Sequence, residues 1–229
     1  MIPHEPAEGE VLFVNKPKGW TSFDVASRVR TLLHARKVGH AGTLDPMATG
    51  LLILCTEKRT KDIEQFQGQE KEYRVRMLLG ARTPSFDAET PVSERHSTDD
   101  LTVDSVVAVM QEFVGHQQQL PPMWSAVKVH GKRLYKHARK GQEVERPLRE
   151  VFIRSIEVNE STMPNVEFTV VCSKGTYVRA LVNDVGNRLG CGAYVTALER
   201  TRIGEYLLRD ALTLEELGQR QALHVEQHV

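Results

Sequence analysis

A chain of 229 residues, 40% hydrophobic and 26% charged, is long enough for one large domain or two small ones and too apolar for a disordered polymer. Its 30 basic and 30 acidic side chains cancel, which excludes a uniformly basic polyanion binder, and its three cysteines, Cys55, Cys172 and Cys191, are an odd number at wide spacing that excludes a disulfide framework and reads as reduced, buried thiols. No apolar run has the length needed to cross a bilayer, and the acidic, Pro-containing residues 1–10 lack the pattern of a signal peptide, so a cytoplasmic location is expected.

In chain order, Val11-Leu12-Phe13-Val14 is a short apolar strand closed by the turn Asn15-Lys16-Pro17-Lys18-Gly19. Ser22 stands as a helix cap before Val25, Val29, Leu32 and Leu33, whose spacing predicts an amphipathic helix to about His34. Residues 37–50 form an irregular loop containing Gly39, Gly42, Pro46 and Gly50, and they lead into the strand Leu51-Leu52-Ile53-Leu54-Cys55. A loop held between rigid elements is where catalytic residues tend to sit. Tyr73, Val75, Met77 and Leu79 alternate with Arg74, Arg76 and Leu78, the pattern of a half-buried strand. Residues 81–100 lack periodicity and read as a long acidic loop, followed by a helix with Val103, Val106, Val107, Met110 and Val114 on one stripe.

Residues 124–129 are expected to form another strand, His130-Gly131 a turn, and residues 132–140 a short basic helix ended by Gly141. A hairpin is predicted from residues 151–158 and 166–172, with Met163-Pro164-Asn165 in its loop. After Ser173-Lys174-Gly175, the residues Val178, Leu181, Val182, Val185 and Leu189 predict a helix terminated by Gly190, and residues 193–202 return to strand. Thr213-Leu214-Glu215-Glu216 is a capping-box start to the last helix. Hairpins mixed with scattered helices predict an α+β architecture around a mixed, mostly antiparallel sheet.

Charge is unevenly spread. Between residues 121 and 150, Lys128, Lys132, Arg133, Lys136, Arg139, Lys140, Arg146 and Arg149 outnumber Glu143, Glu145 and Glu150. Between residues 84 and 112 the balance inverts, with Asp87, Glu89, Glu94, Asp99, Asp100, Asp104 and Glu112 against Arg95 alone. Such a chain can hold nucleic acid on one face and remain neutral overall. Two ordinary solvated faces would give the same pattern.

The histidines and cysteines include no pair at ligand spacing, so no metal site is expected. The complete dinucleotide fingerprint is absent, Gly39-His40-Ala41-Gly42 lacks the trailing Lys of a phosphate-cradling loop, and no serine lies in a nucleophile elbow. What remains is a carboxylate, Asp45, inside Gly39-His40-Ala41-Gly42-Thr43-Leu44-Asp45-Pro46-Met47-Ala48-Thr49-Gly50. Asp-Pro alone is an ordinary turn. A carboxylate becomes a nucleophile when its surroundings keep it ionised, and the planar fork of an arginine is the best partner for that.

Residues 39–50 resemble the catalytic loop of the TruB family of tRNA pseudouridine synthases. The likeness continues through Asn15-Lys16-Pro17-Lys18-Gly19-Trp20-Thr21-Ser22, Lys71-Glu72-Tyr73-Arg74-Val75 and Gln119-Leu120-Pro121-Pro122-Met123-Trp124-Ser125-Ala126-Val127-Lys128. Cys172-Ser173-Lys174-Gly175-Thr176-Tyr177-Val178-Arg179 and Leu189-Gly190-Cys191-Gly192-Ala193 follow in the family's order, so the resemblance spans about residues 10–217. It implies the pseudouridine synthase fold, α+β with a central, mostly antiparallel mixed sheet, flanking helices and a catalytic cleft. It further implies an isomerase that converts the uridine at position 55 in the T loop of tRNA to pseudouridine by base flipping, as a monomer and without metal or cofactor.

By this resemblance Asp45 is the catalytic aspartate, Arg179 pairs with it, and Tyr73 stacks on the flipped uracil and handles the proton lost from ring carbon five. His40 contacts the RNA, Tyr177 and Leu198 line the substrate pocket, and Lys16 with Pro17 shapes its floor. The basic residues between 128 and 149 become a phosphate-contact surface.

The chain departs from the family pattern at two places outside that set. Pro84-Ser85-Phe86 precedes Asp87 where an acid is common after Arg82-Thr83, and Trp124 stands where tyrosine is usual. With Val229 as its last residue it is expected to be a single catalytic domain, 1–229, without the carboxy-terminal PUA-type RNA-binding domain of many relatives. Two rivals are an RNA-binding protein that keeps the cleft without useful catalysis, and a small-molecule enzyme with an aspartyl nucleophile. Asp45, Tyr73 and Arg179 together oppose the first, and the missing Asp-x-Asp motif the second.

Overall fold

A computed structural model of the chain describes residues 8–129 and 131–226. Residues 1–7 and His130 of the expected turn lie outside the described residues. The chain divides into two compact units, one of Met1–Tyr73 with Glu199–Val229, the other of Arg74–Leu198.

The first unit opens with strand β1 (Val11–Lys16), helix α1 (Ser22–Leu32), strands β2 (Val38–His40) and β3 (Thr49–Thr56), helix α2 (Ile63–Gly68) and the start of strand β4 (Lys71–Leu79). Helix α1 is capped one residue before the expected position. Thr21, not Ser22, is the N-cap, because Asp24 lies at the third helical position and closes a reciprocal capping box with it. Ser22 is thereby freed to point inward, where it is 1% exposed.

Strand β3 is antiparallel to β1 and to β2, and its apolar run is continuous because both of its faces are covered. Leu52 and Leu54 join Leu12, Val14, Val25, Val29 and Leu217 in one core cluster. Leu51, Ile53 and Cys55 join Ala41, Phe66 and Ile203 in another.

The second unit carries the rest of β4, strands β5 (Ala81–Arg82) and β6 (Glu94–Arg95), helix α3 (Val103–Gln111), strands β7 (Gly115–Gln119), β8 (Lys128–Val129) and β9 (Lys132–Arg133), and helix α4 (Leu134–Ala138). The long hairpin β10 (Arg149–Thr162) and β11 (Asn165–Cys172), helix α5 (Val178–Arg188) and the first part of strand β12 (Ala193–Ile203) complete it. Strands β4, β11, β10 and β7 lie in that order. Strand β10 is antiparallel to both β11 and β7. The alternation read in β4 holds, with Tyr73, Val75, Met77 and Leu79 buried.

Three expectations in this unit are corrected. The acidic loop contains a short hairpin, since Ala81 and Arg82 pair with Arg95 and Glu94. The strand expected over 124–129 survives only as Lys128–Val129. Upstream of it, the carbonyls of Ser125 and Val127 accept from the N–H groups of Tyr135 (3.1 Å) and Leu134 (2.8 Å), which draws the chain onto the start of α4. Helix α4 is shorter than the predicted 132–140, because Lys132 and Arg133 are spent on pairing with Val129 and Lys128. Strand β7, His-Gln-rich and without apolar alternation, carries no periodic signal.

The chain then returns to the first unit through the end of β12, strand β13 (Tyr206–Leu207) and helix α6 (Leu214–Glu226). Here β12 runs parallel to β3, with Glu199 opposite Thr49 and Arg200 opposite Gly50. The predicted capping box of α6 is present, Thr213 and Glu216 bonding reciprocally. The three cysteines are unpaired and buried, as expected. No helix of the described residues is long and apolar enough to cross a membrane.

Candidate active site

In the first unit the loop bearing Asp45 leaves β2 at His40 and re-enters sheet at Thr49. It is pinned by hydrogen bonds on both sides of the carboxylate. Ser22 Oγ accepts from the Leu44 N–H (2.8 Å) and donates to the Leu44 carbonyl (3.2 Å). The Pro46 carbonyl accepts from the Gly19 N–H (2.7 Å) and from Lys16 Nζ (3.3 Å), and the Asp45 carbonyl accepts from the Ala48 N–H (3.1 Å). Leu44, Met47 and Ala48 are buried, whereas Asp45 is half-buried. These contacts fix the backbone on either side of Asp45.

Lys16, the last residue of β1, is fully buried, and its ammonium also donates to the carbonyls of Trp20 (2.6 Å) and Pro17 (2.9 Å). It therefore ties the turn after β1 to the residue following Asp45. His40 is half-buried at the end of β2, and its Nδ1 has no hydrogen-bond partner among the described residues. Burial, and then the positive charge of Arg200, hold the His40 imidazole below its usual range, so it is neutral at pH 7. Tyr73 lies on the buried face of β4 at 9% exposure.

In the second unit Arg179 sits in the first turn of α5, 2% exposed. Its guanidinium donates to the carbonyls of Ser85 (2.7 Å) and Trp124 (2.9 Å), and one nitrogen lies 3.2 Å from Asp87 Oδ2. Asp87 is fully buried; its Oδ1 accepts from Ser85 Oγ (2.5 Å) and from the Glu89 N–H (3.0 Å). A buried cation of this kind needs acceptors for its N–H groups, and here a nearby carboxylate adds a counter-charge. The sequence places Asp87 in an acidic loop without a role, and its only signal there is the run of small hydroxyl residues Thr83, Ser85 and Thr90 around it.

Tyr177 precedes α5 as its N-cap residue and is held through its backbone. The Gln119 amide accepts from the Tyr177 N–H (2.7 Å) and donates to its carbonyl (3.0 Å), in the manner of a strand partner. Gln119 is 4% exposed, and nothing in its sequence neighbourhood announces this role. Leu198 is buried in β12. Of the basic residues, Lys128, Lys132, Arg133, Lys136, Arg139, Lys140 and Arg149 are exposed or half-buried. Arg146 turns inward to the Pro121 carbonyl (3.1 Å) and pairs with Glu143.

Two family models cover most of the chain. Residues 30–178 match the TruB family pseudouridylate synthase N-terminal domain. The chain belongs to the TruB family. Residues 179–228 match the tRNA pseudouridylate synthase B C-terminal domain, so Asp45, Tyr73 and Tyr177 fall in the first TruB match, and Arg179 and Leu198 in the second.

Proteins named tRNA pseudouridine synthase B are close in sequence to this TruB chain. The one from Phocaeicola vulgatus is 48% identical over 214 residues, 91% of either chain. That of Bacteroides fragilis is 49% identical over 211 residues, 90% of this chain and 91% of the relative. That of Clostridium tetani is 44% identical over 209 residues, 91% of this chain and 72% of the relative.

Among solved structures, a chain of a Cbf5–Nop10–Gar1 complex superposes with a TM-score of 0.76 at 31% identity, over 96% of this chain and 56% of that one. A chain of an H/ACA RNP bound to a substrate RNA containing 2'-deoxyuridine gives 0.73 at 28% identity, over 96% and 55%. The TruB chain thus spans little more than half the length of those two proteins. The expected pseudouridine synthase fold is borne out.

Proposed function

We propose that this TruB-family chain isomerises the uridine at position 55 in the T loop of tRNA to pseudouridine, with Asp45 as the catalytic carboxylate. The observation that carries this reading is the loop pinned at Leu44 and Pro46, which presents the half-buried Asp45 between them in a chain whose relatives are tRNA pseudouridine synthases. The reaction breaks the bond from uracil nitrogen one to the ribose, rotates the base and forms the bond from carbon five. Carbon five loses its proton and nitrogen one gains one, so no oxidant, hydrolysis or phosphate transfer enters.

Access to those atoms requires the nucleotide to leave its stack, at roughly a few kcal/mol. Stacking of the flipped uracil on Tyr73 returns about 1–3 kcal/mol of this. Tyr73 also takes up the carbon-five proton, and Arg179 belongs to the catalytic set. Asp87, 3.2 Å away, places a buried counter-charge beside the Arg179 guanidinium. Neutral His40 meets the opened RNA loop, Tyr177 and Leu198 wall the pocket, and Lys16 supports its floor. The basic residues from Lys128 to Arg149 meet phosphates of the T arm, a contact that positions RNA without reading sequence. The protein acts as a monomer in the cytoplasm.

The test is tritium release from unmodified tRNA labelled at uracil carbon five, with the product mapped to its nucleotide. Wild type should release tritium and place pseudouridine at position 55; Asp45→Asn should bind the same tRNA and release none. Binding without release by wild type would make this an RNA-binding protein, and release from another site would move its target.

A further inference from the structure

We propose that Arg200, on β12, is a positioning residue for the isomerisation, clamping the two ends of the loop that carries Asp45. The inference rests on the reading of Asp45 as the catalytic carboxylate. Arg200 is 1% exposed and is the largest fully buried side chain among the described residues. Its Nε donates to the Leu51 carbonyl (2.7 Å), just beyond the loop, and a terminal nitrogen donates to the Gly42 carbonyl (3.1 Å), near the loop's start. No ion pair involving Arg200 is found among the described residues, so its buried charge is spent on main-chain carbonyls rather than on a carboxylate. A guanidinium suits this task because its donors diverge in one rigid plane and can reach two carbonyls at once.

The backbone of the same residue holds the loop's far end. Arg200 pairs with Gly50 in the parallel register of β12 and β3. Gly50 has φ +103°, and a Cβ there would lie 2.4 Å from the Arg200 carbonyl oxygen, so only glycine allows this approach. Gly42 has φ +101°, and a Cβ on it would lie 3.4 Å from the guanidinium. Gly50, where the loop rejoins the sheet, is therefore shaped around Arg200, whereas Gly42 favours glycine through its φ and meets the guanidinium at ordinary contact distance. Its charge has a second effect, adding to burial in keeping the His40 imidazole deprotonated. Loss of the clamp would free the loop to shift, and a displacement of about 1 Å at a reacting group can cost on the order of 100-fold in rate.

The experiment compares wild type, Arg200→Met, Arg200→Lys and Asp45→Asn in steady-state tritium release with tRNA, alongside thermal unfolding and the pH dependence of the rate. Arg200→Met is expected to lose about 100-fold in kcat with KM within about threefold of wild type. Arg200→Lys should recover part of that loss and keep the pH profile, since it restores the charge and a single donor nitrogen but not the planar fork. If the methionine variant does not fold, the lysine variant decides: a folded protein with kcat reduced about tenfold or more at unchanged KM supports the clamp. Wild-type kcat in Arg200→Lys and Arg200→Met, or a loss that only tracks the unfolded fraction, overturns it. Turnover by Asp45→Asn would instead sink the reading of Asp45, whatever the arginine variants do.

Discussion

Ser22 holds Leu44 by both polar groups of its backbone: the serine Oγ accepts from the Leu44 N–H at 2.8 Å and donates to its carbonyl at 3.2 Å. Both residues are buried. One hydroxyl thus satisfies a donor and an acceptor that water cannot reach, immediately before Asp45.

Ser22→Ala should accordingly cost about 1–3 kcal/mol of stability, the desolvation penalty of leaving the Leu44 peptide unpaired. The same change should lower kcat for tritium release more than it raises KM. Urea denaturation and steady-state kinetics measure the two effects, and an unchanged kcat would mean that Lys16 and Gly19 suffice to set the loop.

Asp87→Ala strips Arg179 of its buried counter-charge. Removing one partner of such a buried pair costs up to about 3–5 kcal/mol, because the remaining charge loses its hydrogen-bonded neighbour. Denaturant unfolding should show that loss, and tRNA turnover should fall with it. A loss under about 1 kcal/mol would show that the guanidinium is held without Asp87.

His40 is held below the ordinary imidazole value of 6.5, first by burial and then by Arg200. Below that value the unfolded chain binds a proton that the folded chain refuses, so this group's contribution to stability is full above about pH 6.5 and is lost as the pH falls toward the depressed folded value. The unfolding free energy of wild type relative to His40→Gln should therefore decline as the pH falls below about 6.5. A parallel pair of curves would place His40 in a solvated setting.

Lys132 and Arg133 are exposed on the β8–β9 hairpin. Replacing both by Ala should weaken tRNA binding and reduce the slope of log affinity against log salt by about 1 for each phosphate that is no longer neutralised. An unchanged slope, from filter binding over a salt series, would remove this hairpin from the RNA interface.

Much of the local structure was legible because it is written in spacing. The β4 alternation and the stripe of α5 place residues by their period, and the capping boxes at Thr21 and Thr213 pair residues three apart. Even the cap that sequence puts one residue late follows the same rule: an acid stands three residues after Thr21, while Val25 stands three after Ser22. Asp45 was legible as a motif, because the whole string from Gly39 to Gly50 stands beside it.

The long-range contacts within each unit were not legible. Ser22 and Leu44, Asp87 and Arg179, and Arg200 with Gly42 and Leu51 join residues far apart in the chain, and sequence spacing has no period for them. Most of their acceptors, moreover, are backbone carbonyls, which every residue carries and no residue type announces. The sequence alone determined the elements that carry a period or a capping box and singled out Asp45 by its motif; the tertiary structure decided which buried serine, lysine and arginine hold its loop, since only folding brings a carbonyl and its donor within about 3 Å.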